Sequence, residues 1–275
     1  MKEIIVPVDF SRASKQAFQY ALGLSEVLGS PIRVVHVFSS SFTTNEPFLL
    51  KAGMGRQAAL EAELNSFINE EEGNVAIKVT SEVIFGGPVR ELIKKSKSEE
   101  TRMIIMGQKG AGQSSDRFLG SVSTAVSRDA ACPVVLVHED NDFKPYSNIL
   151  FASNYESIDN GTLGRLMEFA QQFKAGIHFV HINDEHSEET FNLLKTRIFE
   201  TLFKEEDLQG AFHLTRFSAN SVHEGLNDYA EDHDIDLVIM VTPHKSFWER
   251  ILHQSQTKAM ALTSKVPILV YHTDN

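Results

Sequence analysis

The chain holds one cysteine, Cys132, among its 275 residues. An internal disulfide is therefore ruled out, and stability has to come from a packed core. The apolar setting of that thiol predicts a buried structural residue, since a reactive thiol needs a nearby base. No uninterrupted apolar run approaches the ~20 residues of a spanning helix, so no membrane span is predicted. The start, MKEIIVPVDF, runs straight into a strand-like segment with no charged, apolar and small-residue signal pattern. A cytoplasmic location is the expectation. Positive charge is also scarce: 26 Lys and Arg against 37 Asp and Glu give a formal net charge of -11. The short basic stretches KPYSN and IKKSK are too diluted to form a patch. Nucleic acid and anionic lipid are poor partners for such a surface.

Two familiar phosphate-binding patterns are missing as well. GxxxxGK[ST] does not occur, and VPVDFSRAS, where GxGxxG would follow the first strand, contains no glycine. What is present is a composition of 42% hydrophobic and 23% charged residues, which suits a folded soluble core.

The chain reads as one unit twice. KEIIVPVDF (2–10) resembles SNILFASNY (147–155) at an offset of 145, while PVVLVH (133–138) matches PILVYH (267–272) at 134. RMIIMG (102–107) and DLVIMV (236–241) share the second offset, so the second copy has a shorter connection in its middle. The polar stretch HEDNDFKPYS interrupts the apolar pattern and divides the chain into domains 1–144 and 145–275. Within the first copy, Val/Ile-rich strands alternate with helical patterns. Ser11 is an N-cap candidate, with Ala17, Ala21, Leu24 and Leu28 on one helical face, and Pro88 opens another helix. This order predicts α/β architecture, with two tandem doubly wound parallel-sheet domains.

One stretch of the first copy, IIMGQKGAGQSSDRFLGSVSTAV (104–126), places Gly107, Gly110, Gly112 and Gly120 after a strand and before a helix. Such glycines either turn a corner or let backbone amides and a helix N-terminus close on an anion. Ser121 adds a hydroxyl donor, and Lys109 and Arg117 offer positive charge. In open parallel sheets a ligand lies beyond the carboxyl ends of the strands, which is where this loop falls.

The spacing Gly107-x2-Gly110-x9-Gly120-Ser121 resembles the ATP loop of the universal stress protein family. IIVPVDFS, VVHVF, GGPVREL, IIMGQKG, FLGSVS and CPVVLV fall in the same order as in that family. The resemblance covers residues 1 to 139 and, more weakly, 147 to 272. It implies an adenine nucleotide alpha hydrolase-like fold and ATP as ligand, with Mg2+ or Mn2+ among the phosphate oxygens. Carried over, Asp9 would lie by the adenosine end, Val37 would border the adenine, and Met106 and Gly107 would approach the ribose. Gly110, Gly120, Ser121 and Val122 would hold the phosphates. Simple core packing accounts for Val37 and Met106 equally well. The family also implies pairing through the final strand, hence an intramolecular pseudo-dimer of the two copies or a homodimer. The SGGxDS loop of adenylate-forming ATP pyrophosphatases, an architecturally related class, is absent.

The second copy departs from the pattern: Val241, His244 and Gln254 stand where Gly107, Gly110 and Gly120 stand in the first, and Asn154 replaces Asp9. Side chains return where backbone approach is needed, and Pro243 removes an amide donor. This copy is expected not to bind ATP, although His244, Lys245 and His253 leave another ligand open. Nine of the 11 histidines lie in it. His178 and His181 point to opposite faces of one strand and no HxxxH pair accompanies them, so core or surface histidines are expected in place of a metal site. The chain thus reads as an ATP-binding regulatory protein, with a slow ATPase or autophosphorylating enzyme, or a nucleotide-independent scaffold, as the alternatives. Asp9 and Asp116 are the acidic candidates beside the phosphates, and neither is a clearly placed base.

Overall fold

A computed structural model describes residues 2–38, 47–73, 75–108, 120–152, 160–182, 196, 212–217, 222–242 and 266–272. They fall into two compact units, the first ending at Phe143 and the second starting at Lys144.

In the first unit, the strands are β1 (Glu3–Pro7), β2 (Ile32–Phe38), β3 (Val79–Phe85), β4 (Thr101–Gly107) and β5 (Val134–Val137). The helices are α1 (Arg12–Leu28), α2 (Pro47–Glu71), α3 (Pro88–Ser96) and α4 (Ser121–Asp129). The strands lie in the order β3-β2-β1-β4-β5, with every neighbouring pair parallel. The chain moves outward from β1 to β2 and β3, then returns to the other side of β1 with β4. The topological switch therefore falls between β1 and β4. Continuous burial of Ile4, Ile5 and Val6 on β1 and of Met103 to Met106 on β4 follows from their central positions, covered on both faces.

Helix α1 starts where the sequence predicts. Ser11 adopts extended backbone and its hydroxyl accepts from the Ser14 amide at 3.2 Å. Gly29 closes the helix in the left-handed region at φ 59, a conformation that costs glycine least. Ala13, Ala17, Phe18, Ala21, Leu24 and Leu28 form the buried face. Pro88 occupies the first turn of α3, where its missing N–H is not needed. Helix α2 begins at Pro47, earlier than the amphipathic pattern from Arg56 suggests, and runs through Gly53 and Gly55.

The second unit repeats the plan with β6 (Asn148–Ala152), β7 (Gly176–Ile182), β8 (Phe212–Phe217), β9 (Leu237–Thr242) and β10 (Ile268–His272). Its described helices include α5 (Asn160–Phe173) and α6 (Val222–Asp232). The strand order is β8-β7-β6-β9-β10, again parallel at each pairing, so the switch falls between β6 and β9. Two doubly wound α/β domains in tandem are what the internal repeat predicts. Among the described residues, no helix is long and apolar enough to cross a membrane.

Candidate functional site

The carboxyl edge of the first unit's sheet gathers the sequence-predicted residues that the structure describes. β1 ends at Pro7, so Asp9 lies two residues past the strand, in the turn that leads into α1. Its Oδ1 accepts from the Ser11 amide at 3.1 Å and from the Ser11 hydroxyl at 2.5 Å. The Ser11 hydroxyl in turn caps α1, so Asp9 and the helix N-terminus are joined through one oxygen. Between them, Phe10 has φ 61, the left-handed region that a bulky L-residue seldom enters. Its ring meets His36 at 4.8 Å and Phe67 at 5.8 Å between centroids, and this packing holds the turn. His36 reinforces it, since its Nδ1 lies 2.9 Å from the Val8 carbonyl and donates to it.

On the other side of the switch, β4 delivers Met106 and Gly107. Met106 is buried. A Cβ on Gly107 would stand 2.8 Å from both the carbonyl carbon and oxygen of Ala13. Gly107 therefore has a packing reason to be glycine: the first turn of α1 lies against it. The sequence offers only a turn or ligand approach as reasons for that glycine, and this packing is a third. The Gly107 carbonyl accepts from the buried Ser123 hydroxyl at 2.7 Å, which fastens the first turn of α4 to the end of β4.

The next residue is one that motif reasoning passes over. The Gln108 amide donates to Val137 O at 2.9 Å, and its carbonyl accepts from the Gly120 amide at 2.6 Å. The two ends of the glycine-rich loop are thus tied together. The residue is 3% exposed, and its Nε2 has no hydrogen-bond partner among the described residues. A buried amide donor left without an acceptor costs about 1–3 kcal/mol, so Gln108 marks a place with unmet donor capacity. The only hint in the sequence was its position between Gly107 and Lys109, in a part of the motif where residue type is not fixed.

Gly120 is the N-cap of α4, in extended backbone, and no side chain caps the helix. The first intrahelical bond runs from Thr124 to Gly120. The amides of Ser121, Val122 and Ser123 precede it and have no intrahelical acceptor. Ser121 is exposed and Val122 half-buried, and no acidic residue stands in this first turn. Uncapped amides, a positive helix end and a capping position without a Cβ suit an anion. Val37, half-buried, is the next-to-last residue of β2 and pairs with Ile84. Gly110, Lys109, Asp116 and Arg117 lie outside the described residues.

In the second unit, Val241 on β9 takes the place of Gly107 and is 1% exposed. An isopropyl group is buried where the first unit admits helix backbone. Asn154, Pro243, His244, Lys245, His253, Gln254 and Ser255 lie outside the described residues. Among the described residues, no group of three or more His, Cys, Asp or Glu has the arrangement of a metal site. Cys132 is buried, and burial pushes its thiol up to about 12, the inert character expected of it.

A family model described as the universal stress protein family matches residues 1–138 and again 145–272. A universal stress protein of Mycobacterium bovis is 29% identical over 150 residues, which cover 52% of this chain and 50% of that protein. One of Methanocaldococcus jannaschii is 27% identical over 148 residues, covering 50% of this chain and 81% of the relative. The chain thus spans about half the length of the mycobacterial relatives it matches. A crystal structure of a universal stress protein from Archaeoglobus fulgidus shares the fold, with a TM-score of 0.72 at 18% identity. That match covers 99% of this chain and 97% of the other.

Proposed function

Because the chain belongs to the universal stress protein family and carries its domain twice, we propose that it is an ATP-binding regulatory protein of the stress response. The nucleotide is held by the first unit alone, and its occupancy sets the conformation or partner binding of the chain. The observation that carries this reading is the uncapped N-terminus of α4 at the switch between β1 and β4. Gly120 is its cap, and the Gly120 amide ties it to the backbone of the buried Gln108.

In this reading the amides of Ser121 and Val122 and the Ser121 hydroxyl hold phosphate oxygens, with Gly110 and Gly120 leaving room for close backbone approach. Asp9, held by Ser11, faces the adenosine end, with Val37 beside the base and Met106 and Gly107 toward the ribose. Mg2+ or Mn2+, when bound, supplies charge neutralisation to the phosphates. The protein's part is to bind and orient. Each favourable anion contact at a helix N-terminus is worth roughly 0.3–1 kcal/mol at an exposed site and up to ~2 in partly buried geometry. Loss of the cradle in the second copy supports single occupancy, since Val241 brings a buried side chain to the position of Gly107.

The experiment is mass spectrometry of nucleotide released from the purified protein, followed by calorimetric titration with ATP and Mg2+. One site per chain is expected. Gly120→Val abolishes binding and Gln254→Gly leaves the stoichiometry at one. Absence of binding below millimolar ATP refutes the reading, and a stoichiometry of two refutes single occupancy. A turnover assay on the same sample distinguishes a binder from a slow ATPase.

A further inference from the structure

Histidines that the sequence scatters along the second unit meet at one place, away from the carboxyl edge. His178 on β7 and His213 on β8 are register partners, and their rings stack with centroids 4.6 Å apart at 28°. His233, just after α6, lies flat on Tyr229 at 3.8 Å and 8°, and its ring centroid is 5.8 Å from that of His178. His213 and His233 are exposed, whereas His178 is 5% exposed.

The hydrogen bonds around His178 define its resting state. Asn148 on β6 directs Nδ2 at the Asp234 carbonyl, 3.4 Å away, which leaves its Oδ1 facing His178 Nε2 at 3.4 Å. An amide oxygen only accepts, so Nε2 carries the hydrogen. Nδ1 then accepts from the Tyr229 hydroxyl at 3.0 Å. The neutral imidazole is fully matched. A second proton on Nδ1 would force the Tyr229 hydroxyl to turn from donor to acceptor and would place a full charge in a buried site, with two more imidazoles within reach.

We propose that this cluster is an acid-responsive latch: it holds β7, β8 and the end of α6 together while His178 is neutral, and proton uptake there releases them. The groups around His178 come from each neighbouring element. β8 supplies His213. α6 and its following turn supply Tyr229 and His233, the latter flanked in sequence by Asp232 and Asp234. β6 supplies Asn148, beside which the Asp236 carboxylate accepts from the Ser147 and Asn148 amides at 2.7 and 3.0 Å. No cation partner for the Asp236 carboxylate and no carboxylate contact to His178 is found among the described residues.

The direction of the response follows from linkage. Burial first, then the charge that His213 and His233 carry when protonated, hold His178 down from 6.5 to about 4. The opened segment takes up the same proton at its ordinary value. The opened state therefore binds more protons between these values, and the latch weakens as pH falls. Its contribution is whole above about pH 6.5 and drains away toward pH 4. From pH 7 to about pH 4.5 the opening equilibrium of this segment rises roughly fifty-fold.

Hydrogen-exchange mass spectrometry of the full chain at these two acidities tests the latch, with each rate divided by its intrinsic chemical rate. Peptides of β7 and β8 should lose roughly fifty-fold in protection, while β1 and β2 of the first unit, measured in the same sample, lose far less. His178→Gln should remove the excess loss. Replacing the two exposed rings together, His213→Gln with His233→Gln, should shrink it, and this variant serves if the buried one fails to fold. Equal acid sensitivity of the two units overturns the proposal. So does an undiminished loss in either variant, or a His178 ring resonance that titrates above pH 6.

Discussion

Gly107 offers the sharpest test of how the first unit is built. In Gly107→Ala, the new Cβ would lie 2.8 Å from two backbone atoms of Ala13 and 2.9 Å from its Cβ. Carbon atoms at rest stand about 3.5–4.0 Å apart, so α1 and β4 must separate by most of an ångström. Two of the three obstructing atoms belong to a helix backbone, which cannot swing aside as a side chain does. Overpacking of this kind costs about 1–3 kcal/mol. With a urea dependence near 2 kcal/mol per molar, the midpoint of the first unit should fall by roughly 0.5–1.5 M. Exchange protection of α1 and β4 peptides in a urea series reads that unit separately from the second. The control is Ala13→Gly, which removes one obstructing atom and itself costs about 1 kcal/mol in the helix. The double variant should recover only a minor part of the loss, because the backbone atoms remain. An unchanged midpoint in Gly107→Ala, or full recovery in the double variant, would refute the packing argument. It would leave the turn or ligand approach as the reason for this glycine.

Two further outcomes are expected. Phe10→Ala keeps the strained φ of 61 and loses the ring against His36 and Phe67, whereas Phe10→Gly loses the ring and sheds the strain. Thermal unfolding should therefore rank Phe10→Ala as the less stable of the two, by about 1 kcal/mol, and the reverse order would deny the strain. The Cys132 thiol, pushed up to about 12 by burial, should resist iodoacetamide in the folded protein at pH 8 and react fully in denaturant. Intact-mass measurement decides between them, and rapid labelling of the folded protein would contradict the buried placement.

Much of the fold was legible because it rests on local and periodic signals. The two offsets exposed the tandem repeat, Ser11 announced the start of α1, and Pro88 the start of α3. The Val/Ile runs gave a parallel sheet because central strands are buried on both faces. For the candidate site the sequence offers a set of positions, but the local reasons for each residue come from the fold. Nothing near Gly107 in sequence shows that Ala13 presses against it, and nothing near Phe10 shows the backbone it adopts. Gln108 was passed over because a motif specifies glycines and leaves the residues between them open. The histidine cluster was hidden for a related reason. Periodicity places His178 on one face of β7, yet its neighbours come from β8 and the end of α6, and their register is set by tertiary packing. Helix α2 starts early and runs through Gly53 and Gly55, against their helix propensity.

The bond from the Gly120 amide to the Gln108 carbonyl, at 2.6 Å, has a consequence for how such a chain can change. It fixes the separation of the two points between which residues 109–119 must travel, whatever their number or composition. Closing a loop between fixed ends grows only logarithmically dearer with length, about 0.6 kcal/mol for each doubling. The closure entropy of that segment therefore depends only weakly on its length, and the span it must bridge is set by the ends of β4 and α4.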